Sequence, residues 1–197
     1  RFHAMAMAQS EALELVCVCD LDNARAQKVA DEVGCPATAS DFRKMLEEHQ
    51  PEVVGFCAPP HIRSEVILPV LEHGVKALVI EKPIALEIKE ARRLVAAAEK
   101  SGTHLIVCHE CRFSDEMMNL AELVQTGRLG KLNRLAGTCR LNLLDQGVHV
   151  VDLMNSLAGE ACPDWVLGQV DGSGELLGGH ATGHTAPNHG LLQFAYG

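Results

Sequence analysis

The chain has 197 residues, 47% of them apolar, and a formal net charge of −9. This length suits one large domain or one and a half, and no apolar run approaches the roughly 20 residues that cross a membrane. The acidic balance argues against nucleic acid or a membrane surface as a partner.

The eight cysteines are not placed as a disulfide scaffold would place them. Cys17, Cys19, Cys57 and Cys108 fall within apolar, strand-like runs, where a reduced thiol behaves as a small apolar side chain. The first ten residues lack the basic start and apolar core of a secretory signal. A cytoplasmic location is therefore expected.

The first half of the chain alternates apolar runs, typical of buried strands, with amphipathic helical patterns. Asp22 and Ser40 are predicted helix N-caps, and Gly34 a helix stop. Such alternation indicates βαβ units in a parallel sheet, whose right-handed crossovers place the strand ends on one edge. Strands are predicted at residues 14–19, 53–57, 77–80 and 104–108, and helices at 1–10, 22–34, 41–49, 62–73 and 87–100.

The pattern changes after Cys108, and a domain boundary is predicted near Arg112. The later strands read as parts of a different sheet, which makes the second part a separate α/β domain. Helices are predicted at residues 114–127 and 146–158, and strands at 131–143, 164–170 and 191–195.

Glu81, Lys82 and Pro83 directly follow the apolar strand at residues 77–80. In an open parallel sheet, ligands bind beyond the carboxyl ends of the strands. Pro83 restricts the backbone of Lys82 to extended geometry, so Lys82 is a candidate catalytic group on a rigid strand end. The alternative is an ordinary strand end with a surface ion pair.

Asp20 ends the strand that would be second in a dinucleotide-binding unit. An acid there accepts hydrogen bonds from the adenosine ribose and repels a 2′-phosphate. Residues 21–23 contain neither Arg nor Lys, so NAD is favoured and NADP is disfavoured. The alternative is a turn or helix-capping acid.

Asp145 and His149 are four residues apart at the start of a predicted helix, so their side chains share one face. A carboxylate beside an imidazole suits general acid–base chemistry. Asp152, three residues after His149, could compete for that role. The alternative is a pair on the helix surface.

Six motifs recur together in one family, and their ordered set is specific although each is short. The chain resembles the glucose–fructose oxidoreductase, inositol dehydrogenase and MocA-type oxidoreductases from about residue 1 to residue 157. The motifs are Asp20 after its strand, Ala58-Pro59-Pro60, Glu81-Lys82-Pro83, Arg112-Phe113, residues 127–130 and residues 145–152.

The resemblance implies an NAD-binding Rossmann-like domain at residues 1–111 and a substrate or oligomerisation α/β domain, with a mostly antiparallel sheet, at 112–197. It implies hydride transfer between a nicotinamide and a sugar, polyol or related carbonyl, in a homo-oligomer when full length. It implies that Lys82 lies beside the reacting hydroxyl and the nicotinamide, and that His149 carries the proton. Asp145 would bind the substrate and orient His149. Pro59 and Glu81 would line the cofactor site.

The chain departs from the family pattern at several points. No strand and glycine loop precede Arg1, the segment at 130–145 is shorter, and the chain stops at Gly197. Arg63 stands where the family often has histidine. We therefore expect a chain truncated at both ends, whose parallel sheet lacks its first strand and which binds NAD weakly without the loop that holds the pyrophosphate.

Two other interpretations stay open. One is a non-catalytic remnant or binding module that keeps the α/β core. The other is a zinc-dependent protein that uses Cys108, Cys111 and downstream histidines such as His180 and His184. A structural zinc site needs a second ligand pair at matching spacing, and none is obvious, so no metal ligand is predicted.

Overall fold

The computed structural model describes residues 1–139, 143–170 and 190–196. The chain divides into two units, Arg1–Val107 and Cys108–Gly197. The histidine pair His180 and His184 lies outside the described residues. Within the part of the chain that is described, no helix is long and apolar enough to cross a membrane.

The first unit alternates helices and strands, as the sequence pattern predicts. The last strand, β5, runs to the first residue of the second unit. In chain order the elements are α1 (Phe2–Gln9), β1 (Val18–Cys19), α2 (Asn23–Val33), β2 (Thr38–Ala39), α3 (Phe42–His49), β3 (Val53–Phe56), α4 (Arg63–His73), β4 (Ala77–Glu81), α5 (Ile88–Ser101) and β5 (His104–Cys108).

These strands form two sheets. β1 and β2 pair in parallel, with Val18 opposite Thr38. β3 and β4 also pair in parallel, with Val53 opposite Ala77, in a sheet of order β3-β4-β5. Among the described strands, β1 and β3 are therefore both edge strands. The predicted α/β class with a parallel sheet is confirmed. In the strand order 3-2-1-4-5-6, strand 1 lies between strands 2 and 4. The edge strands β1 and β3 occupy the places of strands 2 and 4, and strand 1 is not among the described strands.

Local capping explains where the helices of this unit begin and end. Asp22 accepts hydrogen bonds from the backbone N–H groups of Ala24 and Arg25 at the start of α2. Gly34 ends that helix with φ of 69°, a left-handed conformation in which glycine has no steric penalty. The predicted cap Ser40 is wrong by one residue, since Asp41 caps α3. The strand predicted at 14–19 is regular only over β1.

The core of the first unit lies between β4 and the helices around it. Leu78 and Ile80 of β4 are fully buried and alternate with half-buried neighbours. Each buried aliphatic side chain of this kind contributes roughly 1.5–3 kcal/mol of transfer free energy, so β4 is held firmly and its carboxyl end is a rigid place for a side chain. The helical residues of this cluster are Met45, Leu46, Ile67, Val70, Leu71, Leu94 and Ala98.

The second unit contains helices and a separate antiparallel sheet. The antiparallel pair, with Trp165 opposite Ala195, confirms a second sheet of different type. In chain order the elements are a 3₁₀ turn (Glu110–Phe113), α6 (Asp115–Gln125), a π-helical turn (Leu143–Gly147), α7 (Val148–Leu157), β6 (Trp165–Val170) and β7 (Gly190–Ala195).

Two predictions for the second unit need correction. The strand predicted at 131–143 is wrong over residues 131–139, which have no regular structure, while residues 140–142 lie outside the described part. A strand needs a pairing partner, and an apolar sequence run cannot supply one. The helix predicted from residue 146 begins at Leu143, where the backbone first winds as a π-helical turn.

Candidate active site

The carboxyl end of β4 carries the Glu81-Lys82-Pro83 motif. Glu81 is the last residue of the strand, Lys82 follows at once, and the Lys82–Pro83 peptide is cis. Oε1 of Glu81 lies 2.8 Å from Nε2 of His3 in α1. The two partners are 78 positions apart in the chain, which explains why the sequence gives no signal for this pair. One face of the Glu81 carboxylate is thus fixed by a side chain from the first helix.

A buried arginine joins the ends of β3 and β4. The side chain of Arg63, only 2% exposed, donates from Nε to the carbonyl of Ala58 (3.1 Å) and from Nη2 to the carbonyl of Lys82 (3.2 Å). Burial lowers the pKa of this guanidinium from its usual range. Its Nη1 is buried and has no hydrogen-bond partner among the described residues. Arg63 therefore ties the backbone of Lys82 to the chain just before Pro59.

Pro59 belongs to the same edge of the sheet. It follows β3 and precedes a 3₁₀ turn, Pro60–Ile62. Because β3 and β4 are parallel neighbours, their carboxyl ends meet at one edge, and Pro59 and Lys82 lie there with Glu81. The structure thus brings three of the sequence-predicted residues together.

Asp20 follows β1 and has a partner that the sequence analysis missed. Its Oδ1 accepts a hydrogen bond from the backbone N–H of Asp22 (2.9 Å), and its Oδ2 lies 3.3 Å from Nε of Arg25. Arg25 also reaches Asp22 at 3.5 Å, and its side chain is 64% exposed. Residues 21–23 contain no cation, but the first turn of α2 brings Arg25 back to the strand end.

Asp145 and His149 lie where the π-helical turn passes into α7. Asp145 is in the π-helical turn, a geometry that is frequent at functional sites, and His149 is in the first turn of α7. His149 is only 6% exposed, so it is not a surface histidine. Its Nδ1 has no hydrogen-bond partner among the described residues, and its Nε2 is 4.0 Å from Oε1 of Glu110.

Asp152, which could compete with Asp145 for His149, is already paired with Arg112. Arg112 donates from Nε to Oδ2 of Asp152 (2.8 Å) and from Nη2 to Oδ1 (2.5 Å), and its Nη1 donates to Oε1 of Glu160 (2.7 Å). The hydrogen bonds to Asp152 raise the pKa of Arg112. The two side chains of the central pair are 24% and 14% exposed, so this bidentate contact is largely sheltered from water.

Replacing Arg112 by Lys should destabilise the second unit, because an ammonium is a point donor and cannot match both carboxylate oxygens. We expect a loss of about 1–3 kcal/mol in the free energy of unfolding, measured by urea denaturation. Arg128→Lys, at an exposed position in the same unit, is the matched control. Equal stability of the two variants would mean that the bidentate contact contributes nothing.

A parallel sheet with an acid after one of its strands is the arrangement of dinucleotide-binding α/β folds. Residues 1–109 match the GFO_IDH_MocA family, an oxidoreductase family with an NAD-binding Rossmann fold. This match spans more than half of the 197 residues, and the chain belongs to that family.

Individual relatives support the assignment. The chain is 33% identical over 132 residues to D-glucoside 3-dehydrogenase from Escherichia coli, an alignment that spans 67% of this chain and 37% of that protein. Its fold is similar to GenD2 from gentamicin A biosynthesis in complex with NAD, with a TM-score of 0.77, 20% identity and coverage of 98% and 58% of the two chains. It is also similar to myo-inositol 2-dehydrogenase from Lactobacillus plantarum, with a TM-score of 0.71, 18% identity and coverage of 85% and 55%.

The chain therefore spans less than half the length of the E. coli relative and little more than half of the two solved structures. The two structural likenesses are below 25% identity and show the fold alone.

Proposed function

We propose that this chain belongs to a dehydrogenase that transfers a hydride between NAD and the hydroxyl or carbonyl carbon of a sugar or polyol. The observation that carries the proposal is the fixed end of β4, where Arg63 holds the backbone carbonyl of Lys82. The substrate class is supported by relatives named as dehydrogenases of D-glucoside, D-apiose and inositol. A cytoplasmic location and a homo-oligomer of the whole protein stay predictions from the sequence.

The residues at the strand ends fit a dinucleotide. The Asp20 side chain is 33% exposed, so its carboxylate can still accept hydrogen bonds from ribose hydroxyls while Asp22 and Arg25 hold it in place. Pro59 and Glu81 would line the cofactor site at the neighbouring sheet edge. When bound, NAD supplies the hydride acceptor, and the redox chemistry belongs to it.

In this mechanism the protein positions the substrate and manages one proton. As the substrate hydroxyl loses its proton, the ammonium of Lys82 stabilises the negative charge that develops on the oxygen. His149 accepts that proton, because imidazole is the side chain that most often serves as a general base. Asp145 would orient His149 and bind a substrate hydroxyl.

The experiment measures NAD reduction with a panel of sugars and polyols. Residues 1–197 are compared with a full-length version, the extended chain, in which a family member supplies the first strand, the glycine loop and the rest of the second sheet. We expect NAD binding and turnover in the extended chain. Failure of the extended chain both to bind NAD and to reduce it with any substrate of the panel would favour the non-catalytic interpretation.

Cofactor choice gives a separate prediction, because Arg25 stands beside Asp20. The unmutated enzyme should prefer NAD, since the 2′-phosphate of NADP would meet the Asp20 carboxylate. Asp20→Ser should free Arg25 to face that phosphate and reduce the preference roughly tenfold or more. The measurement is the ratio of kcat/KM for the two cofactors.

The control for cofactor choice is Asp20→Ser combined with Arg25→Ala. This double variant lacks both charges, so it should gain less for NADP than Asp20→Ser does alone. Equal kcat/KM for NAD and NADP in the unmutated enzyme would show that Asp20 does not contact the ribose.

A further inference from the structure

Three potential metal ligands converge in the second unit. Glu110 and Cys111 are consecutive in the 3₁₀ turn, and His149 is in the first turn of α7. A carboxylate oxygen, a thiol sulfur and an imidazole nitrogen from these residues all lie within 4.8 Å of one another. We propose that Glu110, Cys111 and His149 bind a thiophilic divalent cation such as Zn²⁺.

The distances suit a tetrahedral ion after a small adjustment. Zinc takes nitrogen and oxygen ligands at about 2.0–2.2 Å, which places two such atoms about 3.4 Å apart around a tetrahedral centre. The observed separation of Oε1 of Glu110 from Nε2 of His149 is 4.0 Å. Glu110 is 69% exposed and can close this gap by a change of rotamer. Three protein ligands leave the fourth position open to water.

The other two ligands are held in place before any ion arrives. His149 is buried, and the ring of His109 packs against it edge-on with centroids 5.6 Å apart. The bidentate contact between Arg112 and Asp152 joins the 3₁₀ turn to α7. Asp152 lies one helical turn after His149, so this contact also fixes Cys111 relative to the imidazole. Ligands fixed by neighbouring contacts lose little conformational freedom on binding.

The charges at this cluster favour a soft dication. A carboxylate, a thiolate and a neutral imidazole together carry two negative charges, which balance those of Zn²⁺. The guanidinium of Arg112, the residue after Cys111, already faces the carboxylates of Asp152 and Glu160. A thiolate ligand selects zinc-like ions over Mg²⁺ and Ca²⁺, which prefer oxygen ligands. This set of ligands differs from that of the zinc hypothesis above, which combined Cys108 and Cys111 with downstream histidines.

Bound metal would also regulate the proposed reaction. His149 is the group that the proposed function assigns to proton transfer, and an imidazole nitrogen that ligates a cation cannot accept that proton. Zinc should therefore inhibit turnover by occupying His149. This regulatory step rests on the proposed function, whereas binding of the ion does not.

Binding is tested by titrating residues 1–197 with Zn²⁺ in a calorimeter, with a phosphine reductant present to keep the thiols reduced. We expect one equivalent to bind and Mg²⁺ to give no binding. Cys111→Ser and Glu110→Gln should each weaken binding roughly tenfold or more, while Cys162→Ser, at an exposed cysteine of the same unit, should not. With Co²⁺ as a spectroscopic probe, the thiolate-to-metal charge-transfer band should vanish in Cys111→Ser.

Absence of stoichiometric binding, or equal affinity in Cys111→Ser and Glu110→Gln, would overturn the site. Because Glu110 is exposed, its variant should fold even if Cys111→Ser does not. The extended, active chain tests regulation. Zinc should inhibit it and a chelator should restore it. In Glu110→Gln, the rate with zinc should equal that variant's own rate without zinc. Tight binding without inhibition would remove the regulatory role and the assignment of His149 to proton transfer, while leaving the metal site.

Discussion

Replacing Lys82 by Met in the extended, active chain should lower kcat by about 10²–10⁴ while KM changes little. Methionine keeps the length of the side chain but removes the ammonium that stabilises the developing negative charge on the substrate oxygen. Such a group acts mainly in the transition state, so its loss should appear in kcat rather than in binding. The measurement is steady-state kinetics with NAD and the best substrate of the panel.

Lys100→Met is the control for this prediction, because Lys100 is an exposed lysine of the same unit near the end of α5. It should leave kcat unchanged. His149→Ala should lower kcat by a factor similar to that of Lys82→Met. If both residues serve one proton transfer, the double variant should lose far less than the product of the two single losses. A near-normal kcat in Lys82→Met would show that the Glu81-Lys82-Pro83 motif has a structural role only.

The regular elements of the first unit could be predicted because their signals are local. Asp22 and Gly34 mark the two ends of α2 by capping and by a left-handed backbone. The continuous apolar run at residues 77–80 predicts a buried strand, and β4 lies there. These features depend on residues within a few positions of each other, so the sequence alone contains them.

The contacts that shape the candidate site could not be predicted, because they join distant parts of the chain. His3 meets Glu81 across 78 residues, and Arg112 meets Asp152 across 40. No periodicity in the sequence connects residues that are so far apart in the chain. The role of Arg63 was hidden for another reason. A helical pattern containing an arginine normally predicts an exposed side chain, whereas this one is buried and bound to two backbone carbonyls.

The contrast between local signals and distant contacts also explains why the strand predicted at 131–139 is wrong. Its apolar residues fit a strand locally, but β pairing depends on a partner elsewhere in the chain. The antiparallel pair that does form joins β6 to β7. The local pattern therefore predicted a second, different sheet correctly and one of its strands wrongly.

Replacing the buried Arg63 by Met should affect stability and turnover together. Loss of the guanidinium leaves the buried carbonyls of Ala58 and Lys82 without their donors. An unsatisfied buried polar group costs about 1–3 kcal/mol. Part of this loss is offset, because the variant no longer has to bury the charge of the guanidinium. We expect the free energy of unfolding to fall by about 2–4 kcal/mol, measured by urea denaturation. Arg92→Met, at an exposed position of α5, should leave stability unchanged.

Turnover separates a positioning role for Arg63 from a purely structural one. If Arg63 positions Lys82, kcat of the extended chain should fall by about 10², since misplacement of a catalytic group by about 1 Å has that effect. Arg63→Lys keeps a buried cation, but its single ammonium cannot replace a fork that reaches two carbonyls. It should therefore lose turnover as well. The kinetics are measured at a temperature where each variant is fully folded. Unchanged kcat in folded Arg63→Met would show that the position of Lys82 is set by β4 without the arginine.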